Sequence, residues 1–328
     1  VLLSNIPPAL TGEPLLEQIH KAKEQRKALV EGFLYEKTIL MVAASPGLGK
    51  STLSTQVAIE LAAGLPVFGA FPVIKPLKVL YCQNERPQLE FLERAEVISK
   101  TYPIVAENLT ITDSYKLFNL LKEDHLHAFI KCVMRDCPGV EVIFLDPIYP
   151  LVSGGLSKDE PASAFVKAMS LLQHFTGATL YLNHHTTKPT HDMDGRQIEK
   201  DDPYYGSSWL KACVTGSYAM KETKGGVSLH LKKDNYSCLH KTIHLEYDGS
   251  TELSHVPNDQ LPVGDKLKSF LKLKEVDKKE FGFNDIRDAI GCDIRTLRKQ
   301  LARKEIFDTL DVTSTKKNKS VYKVKVVL

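Results

Sequence analysis

Six residues, Gly47-Leu48-Gly49-Lys50-Ser51-Thr52, constrain this chain more than any other feature. They lie between an apolar run at 38–44 (TILMVAA) and a segment at 51–63 with the apolar spacing of a helix. A buried strand, a glycine turn and a helix in immediate succession open a βαβ unit. Written from Ala44, the segment fits GxxxxGK[ST], with alanine at a first-glycine position that mainly needs a small residue. Gly47 and Gly49 let the backbone curl so that its N–H groups face phosphate oxygens. The following helix N-terminus favours an anion. Lys50 reaches the β and γ phosphates of a nucleotide, and Ser51 offers a hydroxyl to Mg²⁺. Ser45, Pro46, Gly47, Leu48, Gly49, Lys50, Ser51 and Thr52 are thus candidate nucleotide-binding residues.

The rest of the chain supplies the sheet such a loop needs. Strands are expected at 38–44, 78–82, 108–112, 140–145 and 178–183, with helices at 51–63, 88–99, 115–132 and 161–176 between them. Apolar strands alternating with helices imply an α/β fold with a mostly parallel sheet covered on both faces. Residues 13–32 read as a preceding helix, with Leu15, Leu16, Ile19 and Ala22 on one side. Strand-like runs follow at 226–232 and 241–247, and 257–262 (PNDQLP) reads as a linker. Hydrophobic residues make up 43% and charged residues 25% of the 328, which excludes a disordered or collagen-like chain. No apolar run approaches the ~20 residues of a membrane span, so no membrane partner is expected. The first ten residues do not read as a secretory signal. The six cysteines form no CxxC pair, so neither a zinc site nor a disulfide framework is expected, and the compartment inferred is a reducing cytoplasm.

Two acids complete the chemistry expected of the loop. Asp146 ends the run at 140–145, where a carboxylate emerging beside the loop can hold the Mg²⁺ shell together with Ser51. Glu85 follows the strand at 78–82, where it can orient and deprotonate an attacking water; a solvated loop glutamate is the alternative.

Charge is uneven. Residues 264–328 carry 17 Lys and Arg against 10 Asp and Glu, a net of +7, whereas the remaining 263 residues carry a net of −4. A basic tail on an acidic body suits contact with a polyanion. Its pattern reads as a winged helix-turn-helix: helices at 266–275, 284–290 and 294–304, then a hairpin of 309–313 and 321–327. Leu267, Phe270, Leu271, Ile294, Leu297 and Leu301 face inward. Arg295, Arg298, Lys299 and Arg303 project from the third helix as base readers, and Lys316, Lys317 and Lys319 sit at the wing tip to meet phosphates. Protein contact is the alternative use of such a module.

The order of motifs resembles a known family. The loop, Glu85, Asp146, then Asn183-His184-His185-Thr186-Thr187-Lys188, Gly206-Ser207-Ser208 and Lys232-Lys233-Asp234-Asn235-Tyr236 are similar to the RecA-like ATPase core of plasmid RepA-like hexameric replicative helicases, over about 34–250. The resemblance implies catalysis by Lys50 and Glu85, a γ-phosphate sensor at His184 or His185, ATP and Mg²⁺ as cofactors, and a homo-oligomer, hexamer favoured. It implies single-stranded DNA against the loop at 186–205, through Lys188 and Arg196; duplex DNA on the tail is expected separately, from the charge and winged-helix pattern of 264–328. One departure concerns the arginine that the family places after the Gly-Ser-Ser turn: here Thr215 stands there, and no arginine occurs between Arg196 and Arg287. Lys232 or Lys233 is the candidate substitute on a neighbour's nucleotide, though lysine lacks arginine's planar fork. The expected layout is an N-terminal helical segment (1–33), an ATPase core (34–256), a linker (257–263) and a winged helix (264–328). Three functions compete: a DNA motor, a non-motor ATP-switched assembly or recombination factor, and a winged-helix regulator with a weakly active core.

Overall fold

The computed structural model describes residues 11–13, 27–99, 104–152, 156, 158–185, 190–191, 197–198, 208–236, 238–247 and 253–256. Beyond these it describes 267, 271, 281–282, 285–286, 301, 310–316 and 319–324. The chain divides into two units, Val1–Lys241 with Tyr247–Ser254, and Thr242–Glu246 with His255–Leu328.

The first unit opens on a small antiparallel pair, β1 (Ala28–Val30) and β2 (Leu34–Tyr35). The helix expected over 13–32 therefore does not reach its predicted end. Gly32 turns the chain at φ 69°, and a Cβ there would lie 2.2 Å from the His240 ring, so the turn demands glycine. Leu29 and Val30 are both buried, and the Leu29 carbonyl accepts from the Ile74 N–H at 3.1 Å, which holds the segment extended.

Next come β3 (Ile39–Ala44), α1 (Lys50–Ala63), β4 (Val79–Gln83), α2 (Gln88–Ser99) and β5 (Leu109–Thr112). They are followed by α3 (Glu123–Asp136), β6 (Val142–Asp146), α4 (Asp159–Thr176) and β7 (Thr179–His185). The helix expected over 115–132 is in fact a short 3-10 turn, Ser114–Leu117, and then α3. Asn119 separates them by accepting the Leu121 N–H on its side-chain oxygen, a local bond that competes with helix. The segment 186–205, read as a loop, contains a two-residue ladder, β8 (Thr190–His191) against β9 (Gln197–Ile198). α5 (Ser208–Cys213) precedes the hairpin β10 (Gly216–Thr223) and β11 (Gly226–Asp234). β12 (Thr242–Tyr247) and β13 (Leu253–His255) carry the chain between the units.

Within the first unit the strand order is β11-β10-β3-β7-β6-β4-β5. β10, β3, β7, β6, β4 and β5 are mutually parallel, and β11 is antiparallel. β3, β4 and β6 are buried along their whole lengths, as strands covered on both faces must be. Because β3, β4, β6 and β7 run side by side and parallel, their C-terminal ends bring Ala44, Gln83, Asp146 and His185 to one edge of the sheet. Acids in the first turns of α3 and α4, and Arg135 in the last turn of α3, suit the helix dipoles.

In the second unit β14 (Phe281–Gly282), β15 (Leu310–Lys316) and β16 (Lys319–Val324) form an antiparallel sheet in the order β14-β16-β15. The strands β15 and β16 meet across a tighter turn than the expected 309–313 and 321–327 leave, with Lys316 the register partner of Lys319; 309 and 325–327 lie outside the described residues. Leu267, Leu271, Ile286 and Leu301 are buried.

Candidate nucleotide site

The loop between β3 and α1 has the backbone its glycines predict. Gly47 and Gly49 have φ of 81° and 86°. At Gly49 a Cβ would also stand 2.6 Å from the Tyr247 hydroxyl, so no side chain fits. α1 starts without a side-chain cap, which leaves N–H groups at its N-terminus for an anion. Lys50 is buried at the start of this helix. Its burial pulls the ammonium pKa down, while the charges of Asp146 and Glu85 pull it back up.

Asp146, at the end of β6, collects three donors. The Ser51 hydroxyl reaches Oδ1 at 3.2 Å and the Asn183 amide reaches the same oxygen at 2.7 Å. The Tyr81 hydroxyl donates to Oδ2. Tyr81 is fully buried between the rings of Phe91 and Phe144, centroids 4.6 and 5.5 Å away, and desolvation first, then Asp146, pushes its pKa well up. Asn183 also donates to Ser54 on α1 at 2.7 Å, and the Asn84 N–H closes on the Asp146 carbonyl at 2.8 Å. A hydroxyl and a carboxylate held this close are the all-oxygen donor set that suits Mg²⁺.

Glu85 stands opposite. Its Oε2 lies 3.8 Å from His185 Nε2, and the Tyr149 ring lies 5.5 Å from the His185 ring. Burial, and then the nearby Lys50 charge, lower the His185 pKa, which keeps its imidazole neutral at neutral pH. Burial and then the Glu85 charge raise the Tyr149 pKa. Glu85 and His185 join Lys50, Ser51 and Asp146 in lining a cleft of about 330 Å³.

The structure brings Pro46, Gly47, Gly49, Lys50, Ser51, Thr52, Glu85, Asp146 and His185 to that cleft. Ser45 and Leu48 belong to the loop, where the Leu48 N–H turns back to the Ser45 carbonyl. Strand alternation separates the two histidines: His185 lines the cleft, and His184 is buried on β7. Lys232 and Lys233 lie on β11 outside the cleft, and the Lys233 ammonium donates to the Lys211 carbonyl. Lys316 ends β15. Lys188, Arg196, Arg295, Arg298, Lys299, Arg303 and Lys317 lie outside the described residues.

Sequence reasoning missed Gln83, Arg86, Glu90 and Arg94, which also line the cleft, and Tyr81 and Asn183, which hold Asp146. Arg94 leaves one signal: it falls among Phe91, Ala95 and Ile98, the buried stripe of α2, where a charge needs a reason. Its Nε reaches Thr55 on α1 at 3.4 Å, and its Nη1 lies 3.8 Å from Glu90.

A phosphate-binding loop, an acid at the end of a central strand and a glutamate after its neighbour, on a mostly parallel sheet, define a P-loop nucleotide-hydrolysing core. Residues 10–191 match the family model described as AAA domain, and the chain belongs to that family. Among solved structures, a DnaB-like replicative helicase, described with its interactions with primase, is 13% identical. It aligns over 76% of this chain and 68% of its own at a TM-score of 0.50. A KaiC-like protein from the hyperthermophilic archaeon Pyrococcus horikoshii OT3 is 15% identical, over 71% of this chain and 99% of its own, at a TM-score of 0.48. No curated protein matches the chain. The protein is a P-loop ATPase of RecA-like fold. No helix among the described residues is long and apolar enough to cross a membrane.

Proposed function

We propose that the chain is a Mg²⁺-dependent, DNA-stimulated ATPase of the RepA-like replicative helicase branch, working as a ring-forming homo-oligomer on the DNA of a plasmid, virus or mobile element. The observation that carries this reading is the convergence of Lys50, Ser51, Asp146, Glu85 and His185 on one cleft. The loop N–H groups and Lys50 hold the β and γ phosphates. Glu85 takes the proton of a water as its oxygen bonds to the γ-phosphorus and the bond to the ADP oxygen breaks. Bound by Ser51 and Asp146, Mg²⁺ supplies charge neutralisation on the phosphates. His185, neutral beside Glu85, is the sensor placed to feel the γ-phosphate, and it ends the strand from which the segment 186–205 leaves. The tail's +7 charge and its three-stranded sheet support a winged helix at 264–328 that holds duplex DNA.

The test is ATP turnover with and without single-stranded DNA, paired with strand displacement and with oligomeric mass in the presence of nucleotide. Turnover indifferent to DNA would overturn the reading.

One observation favours a second reading, an ATP-switched assembly factor without motor action. Thr215, where an arginine finger was expected, is tied into the sheet: its hydroxyl donates to the Ile39 carbonyl at 3.0 Å and accepts the Ile39 N–H at 2.8 Å. Strand displacement by the protein would dismiss this alternative.

A further inference from the structure

Gln83 is the last residue of β4 and the register partner of Asp146 on parallel β6, so both side chains leave the sheet on the same face. It lines the nucleotide cleft, yet it is only 3% exposed, and its side-chain oxygen is buried without a hydrogen-bond partner among the described residues. Buried acceptors are almost always satisfied, so an orphan aimed into a binding cleft points to a missing donor. The neighbouring carboxylate identifies that donor. Asp146 has about four acceptor sites, and Ser51, Asn183 and Tyr81 already use three of them. A Mg²⁺ ion keeps several of its waters when protein-bound, and those waters need acceptors. Asp146 alone has too few left.

We propose that Gln83 is a positioning residue for Mg²⁺, its amide oxygen accepting a hydrogen bond from a water of the ion's shell beside Asp146. The inference rests on the reading of Ser51 and Asp146 as the cation site.

The test measures affinity for a fluorescent, non-hydrolysable ATP analogue as Mg²⁺ is titrated into the full chain, with a metal-free baseline and thermal melting alongside. Gln83→Met keeps length and volume but removes the strong acceptor. Gln83→Glu keeps an oxygen in place. Loss of such an outer-shell partner raises the Mg²⁺ half-saturation of the Met variant about tenfold. Its metal-free affinity and melting stay as in the wild type, and Gln83→Glu stays close to wild type in Mg²⁺ requirement. Equal Mg²⁺ half-saturation in the Met variant and the wild type overturns the proposal, whatever turnover does. So does equal weakening in both variants, because shape rather than the oxygen would then matter. If the wild type itself shows no Mg²⁺ dependence, the cation-site reading fails first.

Discussion

The Ser51 hydroxyl lies 3.2 Å from the Asp146 carboxylate, although 95 positions separate the two residues in the chain. The bond joins the first turn of the phosphate-loop helix to the end of a central strand. Any ion held by both must therefore sit beside the glycine loop that precedes this helix. Asn183 reinforces the junction by bonding both Asp146 and Ser54, so three elements share one set of hydrogen bonds.

Lys50→Ala is expected to abolish ATP binding and cut hydrolysis by at least about 100-fold, because a preorganised charge on the phosphates is lost. Folding should survive. The ammonium is held at a desolvation cost, so removing it takes away no net support. Equilibrium binding and thermal melting check both halves, and normal nucleotide affinity would dismiss the phosphate-loop assignment.

Glu85→Gln is expected to bind ATP normally and hydrolyse it roughly 10²–10⁴-fold more slowly, since an amide cannot take the water's proton. Single-turnover hydrolysis measures this. An unchanged rate would move the base elsewhere in the cleft.

Tyr81→Phe removes one donor from Asp146 and leaves the aromatic packing against Phe91 and Phe144 in place. The loss should be about 1 kcal/mol, seen as a lower melting temperature and a modest fall in turnover. A variant as stable and active as the wild type would show that the hydroxyl contributes nothing to holding the carboxylate.

His185 should titrate below the ordinary histidine value in the nucleotide-free protein, since burial and Lys50 both disfavour the imidazolium. Occupying the cleft with a triphosphate analogue should move it upward, because added negative charge favours the protonated form. NMR titration of the ring protons reads both steps. A pKa insensitive to nucleotide would remove the sensor role.

In the tail, Arg295→Ala or Arg298→Ala should reduce sequence preference on duplex DNA. Lys316→Ala or Lys317→Ala should weaken all sequences alike, because phosphate contacts position but do not read. Affinity should fall with salt at a log–log slope of about −0.9 per phosphate neutralised. Deleting 264–328 without loss of duplex affinity would reassign DNA binding to the segment 186–205.

What could be read from the chain alone is what neighbouring residues settle among themselves. The run from Ala44 to Thr52 announces its turn, its helix and its ligand, because positive φ at Gly47 and Gly49 and a helix N-terminus are local properties. The helix Gln88–Ser99 was legible to the residue, since its stripe of Phe91, Ala95 and Ile98 has helical spacing. β10 escaped notice, because strand state there depends on the parallel partner β3 rather than on its own mixed pattern.

The tertiary structure decided everything that depends on register. Gln83 and Asp146 are neighbours only because β4 and β6 pair in parallel at that offset. Tyr81 and Asn183 read as core residues until the sheet aligns them with Asp146. Between His184 and His185 the sequence could not choose, because adjacent strand positions face opposite ways and only the packed sheet says which way is the cleft. A motif written in consecutive residues is chemistry that the chain carries by itself. The partners that aim it come from other strands, and packing alone brings them within hydrogen-bond reach.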